Sequence, residues 1–273
     1  MVPSRPSLTL FAHLVSLPES EIDLVQASLV FAESEYPSLD VARYVATLEG
    51  LGRAAARRIA QAAPHGTTEE RVRVVLEWLY GSQGFRGNAE EYYDPRNSYL
   101  NEVLDRKKGI PITLAVVLLD VATRAGIDAR GISFPGHFLV GAGERQKEAP
   151  RPVFKAEGAV RRSGAPSVNL VIDPFHGRIL AGQELEALHA RVTGAGPRVD
   201  PRLLEPCSKR QILVRMLSNL RSIHASRKDD ERLRNVLEHL VALSPTPELS
   251  RELERLGGSR AILARPSASR SFN

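Results

Sequence analysis

The sequence predicts an α+β fold: a buried central helix against an antiparallel sheet, with a helical N-terminal region and a C-terminal helical hairpin. Three observations point there. Apolar residues recur at three- and four-residue spacing through 19–62 and 65–81, which is helical periodicity. "IPITLAVVLLDVATRAG" (110–126) is apolar nearly all round, and a helix without a polar face is a buried one. After Gly126 the pattern changes, and "IDARGISF" (127–134), "HFLVGA" (137–142) and "VNLVIDP" (168–174) read as strands.

The N-terminal helices have local causes. Ile22, Leu24, Val25, Leu29 and Val30 form one apolar stripe, and Pro37 stops that helix. Ser38 is the expected N-cap of the next, whose stripe is Val41, Val45, Leu48 and Leu51. Thr67 followed by Glu70 has capping-box spacing and opens a helix carrying Val72, Val75, Leu76 and Leu79. "LTLFAHLVSL" (8–17) is too short to span a bilayer and lacks a small-residue cleavage site, so it is not read as a signal peptide.

Residues 84–109 begin as a loop and become a short helix around 97–107. Pro111 suits the first turn of the central helix and Gly126 its C-terminal cap. Pro135 and Gly136 break the strand pair, with His137 at the break. Residues 143–166 carry six basic and three acidic residues among several Pro and Gly, and read as a mobile insertion with a short strand at "PVFKAE". A helix follows at about 182–192, then a Gly- and Pro-rich linker. Ile212, Met216, Leu217, Leu220 and Ile223 mark one amphipathic helix (208–226), and Leu233, Val236, Leu237, Leu240 and Val241 a second (229–245). They are expected to form an antiparallel hairpin packed on the core. The expected division is a helical region 1–83, a core 84–192, a linker 193–207, a hairpin 208–257 and a disordered tail 258–273.

Composition narrows the function classes. The 273 residues are 42% hydrophobic and 25% charged, ordinary for a globular protein. The net charge of +5 is spread out, partly over Arg251, Arg255, Arg260, Arg265 and Arg270. A nucleic-acid surface needs a clustered face, so nucleic acid is not the expected partner. The single cysteine, Cys207, excludes an internal disulfide and Cys-rich zinc clusters. No apolar run reaches the ~20 residues that span a bilayer, so no membrane partner is expected and the expected location is cytoplasmic.

His137 is the first candidate functional residue, and three readings are open to it: a satisfied core histidine, a metal ligand, or the base of a catalytic triad. Asp173 and His176 in "VIDPFHG" form, with His137, a facial set in principle able to hold a metal; "DPFHG" reads more easily as a turn set by Pro174 and Gly177. Asn97 and Ser98 read as a helix cap. Arg96, Arg106, Lys107 and Lys108 make a basic cluster, either a solvated face or a receptor for an acidic partner.

The order of a loop, a buried helix starting at "GIP", a strand, His137 and "IDP" resembles the papain-like transglutaminase core. More closely, "SEYPSLDVARYVATLEGL" (34–51), "YDPRNSYLNEVLDRKKGIPITLAVVLL" (93–119), "GISFPGHFLVG" (131–141), "VIDPFHGRIL" (171–180) and "SKRQILVRMLSNLRSIH" (208–224) resemble the SirB-type branch. That branch has a helical N-terminal domain and a tetratricopeptide-like tail. The resemblance implies a cysteine nucleophile at the N-terminus of the central helix, a histidine opening one strand and an aspartate on the next. The positive helix end favours a thiolate, and the carboxylate holds the imidazole in its productive tautomer. Gly109 and Ala115 match the residues flanking the cysteine, and His137 and Asp173 match its partners. The cysteine position falls on Pro111, which carries no nucleophile, a loss the SirB-type branch shares.

Thr113 lies two positions further on, on another helix face, and reads as a hydroxyl satisfying first-turn backbone groups. Asn97, Ser98, Pro111 and Thr113 are the candidate binding positions. Cys207, at the linker–tail junction, reads as an ordinary small residue. No cofactor and no resident metal are expected. The expected function is a non-catalytic interaction or regulatory protein with protein partners. Its rival is a hydrolase or acyl-transfer enzyme using His137 and Asp173 with an unidentified nucleophile. A third class is a nucleic-acid binder using residues 143–166 and the Arg-rich tail.

Overall fold

The computed structural model describes residues 6–143, 170–194, 196 and 198–257. The insertion expected at 143–166, apart from Gly143, and the tail from 258 lie outside them.

Four helices open the chain: α1 (Pro6–Ser16), α2 (Leu24–Ala32), α3 (Val41–Ala62) and α4 (Thr68–Leu76). A π-helical turn, Glu77–Ser82, extends α4. The Thr67 capping box forms: Glu70 N–H donates to Thr67 Oγ1 at 3.3 Å, and Thr67 N–H donates to Glu70 Oε2 at 2.8 Å. At α3 the N-cap is Asp40 rather than Ser38, with Arg43 N–H donating to Asp40 Oδ1 at 3.0 Å. A carboxylate also suits the positive helix end, and Ser38 falls too early to reach an N3 amide. The buried face of α3 is Tyr44, Leu48, Leu51, Ala55 and Ile59, leaving Val41 and Val45 half-buried. At Gly52 it crosses α6 (Pro111–Arg124), where a Cβ would stand 2.6 Å from Arg124 Cβ.

Two short parallel strands, β1 (Arg86–Gly87) and β2 (Lys108–Gly109), tie the loop after α4 to the residues just before α6. Between them lie a 3-10 turn, Pro95–Ser98, and α5 (Leu100–Arg106). Helix α6 starts with Pro111 at a position whose N–H has no intrahelical partner to lose. Only Asp120, Thr123 and Arg124 escape full burial on it, as its uniform apolarity predicts. Fully burying each of its large aliphatic side chains stabilises by about 1.5–3 kcal/mol.

The main sheet is antiparallel in the order β3 (Asp128–Ile132), β4 (Leu139–Gly143), β5 (Leu170–Asp173), β6 (Arg178–Leu180). Alternation sorts its faces. Phe138, Val140, Ala142 and Ile172 join the large core that contains α6. Ile132, Phe134, Leu139 and Leu180 form a smaller core with Leu185 and Leu188 of α7 (Gly182–Thr193). Strand β6 escaped the sequence reading because three residues carry no readable alternation.

Helices α8 (Lys209–Arg227), α9 (Asp230–Leu243) and α10 (Pro247–Arg255) complete the described chain. Left-handed Lys228 (φ 55°) turns α8 back along α9. The expected pair has a third member, capped by Thr246 with Pro247 in its first turn. Leu213, Met216, Leu220, Leu237 and Leu240 share the large core with Phe11 of α1 and Leu29 of α2. Arg210 fastens α8 to the end of α1: its guanidinium donates to Val15 O at 2.9 Å and Leu17 O at 2.5 Å, and to Glu19 Oε2 at 3.2 Å.

Candidate functional site

At the end of β5 the chain turns through Pro174–Gly177 into β6, Asp173 pairing with Arg178. Gly177 takes φ +64°, and a Cβ there would stand 2.3 Å from Tyr80 Cγ, so the turn lies directly on the Tyr80 ring. Tyr80 OH donates to Pro174 O at 2.6 Å. Phe175 covers Gly87, where a Cβ would stand 2.5 Å from the ring, and Gly87 N–H donates to Phe175 O at 3.0 Å. Since Gly87 pairs with Gly109, β1 and β2 couple this turn to the start of α6.

Asp173 is 2% exposed and both of its oxygens are engaged. Oδ1 accepts from Phe175 N–H at 2.9 Å and lies 3.0 Å from His137 Nε2; Oδ2 lies 2.6 Å from His176 Nδ1. An ionised carboxylate only accepts, so each ring carries a proton on the nitrogen facing it. That leaves Nδ1 of His137 and Nε2 of His176 facing away from the carboxylate. Burial alone pushes the Asp173 pKa up, but the bonds from His137 and His176 outweigh it and hold the group well below the usual carboxylate range. The His137 side chain is 11% exposed and that of His176 50%, so neither ring is sealed in the core. His137 sits in the turn before β4, where Gly136 takes φ +61° and His137 N–H donates to Phe134 O at 3.2 Å.

A second group of candidates surrounds the start of α6. Thr113 Oγ1 lies 2.6 Å from Asn97 O and 3.1 Å from Ile110 O, so its proton is directed at backbone carbonyls. Asn97 is not the expected helix cap, because Tyr99 occupies the N-cap of α5. Asn97 Nδ2 instead donates to Glu91 O at 2.7 Å and Tyr92 O at 3.2 Å, and its Oδ1 accepts from Asn88 Nδ2 at 3.0 Å. Asn88 N–H donates to Gly109 O at 3.0 Å. The 88–97 loop is therefore laced to the approach to α6 through Asn88, a residue the sequence reading missed. The buried Ser98 Oγ has no hydrogen-bond partner among the described residues. Pro111 is buried.

Cys207 sits apart from both groups, beside β3, its N–H donating to Gly131 O at 2.8 Å. Burial pushes its thiol up to about 11. The basic cluster finds partners within the fold. Arg96 and Arg106 reach Asp94 at 2.7 and 3.5 Å, Lys108 lies 4.0 Å from Glu90, and Lys107 lies over the Phe85 ring. Among the described residues no group of three or more His, Cys, Asp or Glu is arranged to hold a metal ion. At Asp173 the imidazoles occupy the oxygens that a metal would need. The arrangement is that of a base with its orienting carboxylate: His137 can take up a proton at Nδ1 while Asp173 stabilises the cation. No described helix is long and apolar enough to cross a membrane.

The profile of the family described as the transglutaminase-like superfamily matches residues 42–218. A UPF0162 protein of Xylella fastidiosa is 33% identical over 250 residues, covering 90% of this chain and 80% of its own. A UPF0162 protein of Vibrio cholerae is 30% identical over 152 residues, 56% of this chain and 49% of its own. F-box only protein 21 of Homo sapiens is 29% identical over 171 residues, 61% of this chain but 24% of its own. No solved structure matches. This chain belongs to the transglutaminase-like superfamily, alongside the UPF0162 proteins.

Proposed function

We propose that the protein is a non-catalytic, SirB-type member of the superfamily, a papain-like core that has lost its nucleophile and serves protein interaction or regulation in the cytoplasm. The observation that carries this reading is the chemistry at the start of α6. Pro111 stands where the resemblance puts the attacking thiol, and the chain's one thiol is Cys207, held protonated by burial. A thiol near pKa 11 supplies almost no thiolate at neutral pH. Thr113, the nearest hydroxyl along the helix, is engaged with Asn97 O and Ile110 O. Helices α8 to α10 serve in this reading as a tetratricopeptide-like face for a protein partner. The matching stretch in F-box only protein 21, about a quarter of that longer chain, is consistent with a module that functions beside other segments.

The test is direct. Incubate the protein with a glutamine-bearing peptide and a labelled primary amine, following ammonia release and label transfer, and run an activated ester in parallel. No turnover above the blank is expected, with His137→Ala indistinguishable from wild type. Turnover that His137→Ala abolishes overturns the proposal and establishes the second reading, a hydrolase or acyl-transfer enzyme. One observation favours that rival: the His137–Asp173 pair is intact and His137 retains 11% exposure.

A further inference from the structure

A cavity of about 720 Å³ opens between the end of α2, the 90–96 loop and the α8–α9 turn; His137 does not line it. His224 does, although it is only 1% exposed. Neither of its ring nitrogens has a hydrogen-bond partner among the described residues. Leaving a buried polar group unpaired costs about 1–3 kcal/mol. An unpaired imidazole at a cavity wall therefore points to a group that the cavity takes in.

The other walls state the chemistry of that group. Tyr36 and Tyr99 form one edge-to-face pair with centroids 5.4 Å apart, and Tyr92 and Tyr93 form another at the same separation. Tyr93 is 75% exposed, unusual for so large a ring. Five carboxylates, Glu35, Glu90, Glu91, Asp94 and Asp229, line the cavity against Arg96, Arg227 and Arg232. All three of those cations are already engaged inside the fold, Arg227 donating to Tyr93 O at 3.2 Å. Arg232 bonds Glu35 at 2.7 Å and Asp229 at 2.9 Å, and Arg96 bonds Asp94 at 2.7 Å. Burial lowers the His224 pKa, with Asp229 and Glu35 opposing and Arg232 and Arg227 assisting. The neutral ring has one nitrogen ready to accept a hydrogen bond.

We propose that this cavity binds an organic cation with N–H donors, an alkylammonium or guanidinium group, between the tyrosine faces and the carboxylate rim, with His224 as acceptor. Aromatic faces attract such cations, more strongly when they are desolvated. With Arg106 on Asp94 and Lys108 near Glu90 the rim is close to neutral, so the preference for a cation rests on the tyrosine rings and His224. The site owes nothing to the presence or absence of a nucleophile at α6. A free polyamine and a Lys or Arg side chain of a polypeptide offer the same chemistry.

The full chain is titrated with spermidine, with N-acetyl-arginine methylamide and N-acetyl-lysine methylamide, and with inorganic phosphate. Calorimetry and the histidine ring resonances are followed. Saturable binding of at least one cation is expected, with the His224 resonances moving and phosphate inert. Tyr93→Ala weakens that binding by about two- to fivefold, the scale of one exposed cation–aromatic contact. His224→Leu weakens it too without lowering the melting temperature, because it removes an unpaired buried polar group. Spermidine alone binding identifies a free polyamine as the source; the capped amino acids alone binding identify a basic polypeptide segment. No saturable cation binding at millimolar concentration, binding unchanged in Tyr93→Ala, or preference for phosphate each overturn the proposal.

Discussion

Replacing Asp173 probes the centre of the candidate site. In Asp173→Ala the part-buried Phe175 N–H and His137 Nε2 lose their acceptor, whereas His176, half-exposed, recovers water. Two part-buried groups left unpaired, each near the lower end of a range of about 1–3 kcal/mol, predict a loss of about 2–3 kcal/mol. Melting should fall by about 2–4 °C for each kcal/mol lost. Asp173→Asn keeps an acceptor for Phe175 N–H and His137, loses the charge, and should cost about 1–3 kcal/mol. The pH dependence has a defined sign. The folded carboxyl titrates below its unfolded value, so its charge contributes fully above an unfolded pKa of about 4 and is lost as pH falls towards the folded one. Urea denaturation at pH 7, 5 and 2.5 should therefore show the gap between wild type and Asp173→Asn narrowing between the last two. A gap unchanged from pH 5 to 2.5, or an alanine cost under about 1 kcal/mol, refutes the reasoning.

Three further outcomes follow from neighbouring residues. Thr113→Val removes the hydroxyl facing Asn97 O and should cost about 1–3 kcal/mol, with faster hydrogen exchange in the 88–97 loop, whereas Thr113→Ser should be close to neutral. An unchanged urea midpoint in the valine variant contradicts this. Gly177→Ala combines a left-handed backbone with a Cβ driven into Tyr80, and thermal melting should show a loss of about 2–5 kcal/mol; a shift worth less than about 1 kcal/mol means the turn relaxes freely. Cys207, with its thiol near 11, should react with a disulfide reagent at pH 7.5 roughly a hundredfold or more slowly than free cysteine and accelerate in urea. Labelling at the rate of free cysteine contradicts the burial argument.

What the sequence disclosed about the fold followed the range of the causes. Thr67 and Glu70 lie three positions apart and bond each other, so their capping box is written in the chain alone. Pro111 at a helix start and the buried face of α6 are equally local. Asp40 displaced Ser38 as a cap because both are good capping residues and only the three-dimensional turn selects between them. Strands β1, β2 and β6 are two or three residues long, too short for periodicity, and exist because neighbours pair with them. Within the site, His137 and Asp173 became a pair through family resemblance rather than spacing, since nothing local brings residues 36 positions apart into contact. Asn88 gave no signal, because its two side-chain bonds depend on where Asn97 and Glu91 fall. The His224 cavity is assembled from α2, the 90–96 loop, α8 and the α8–α9 turn, so none of those segments carries its pattern alone.

The Arg210 clamp on α1 has a consequence for biosynthesis. The carbonyl of Val15 waits for a guanidinium 195 residues later in the chain, an interval of about 10–40 s at roughly 5–20 residues per second. Through that interval Leu8, Phe11, Leu14 and Val15 of α1 have no α9 to cover them, because α9 emerges later still. The nascent chain thus carries α1 packed on α2 alone, with its α9-facing side uncovered until α9 emerges, so this helix completes its packing late.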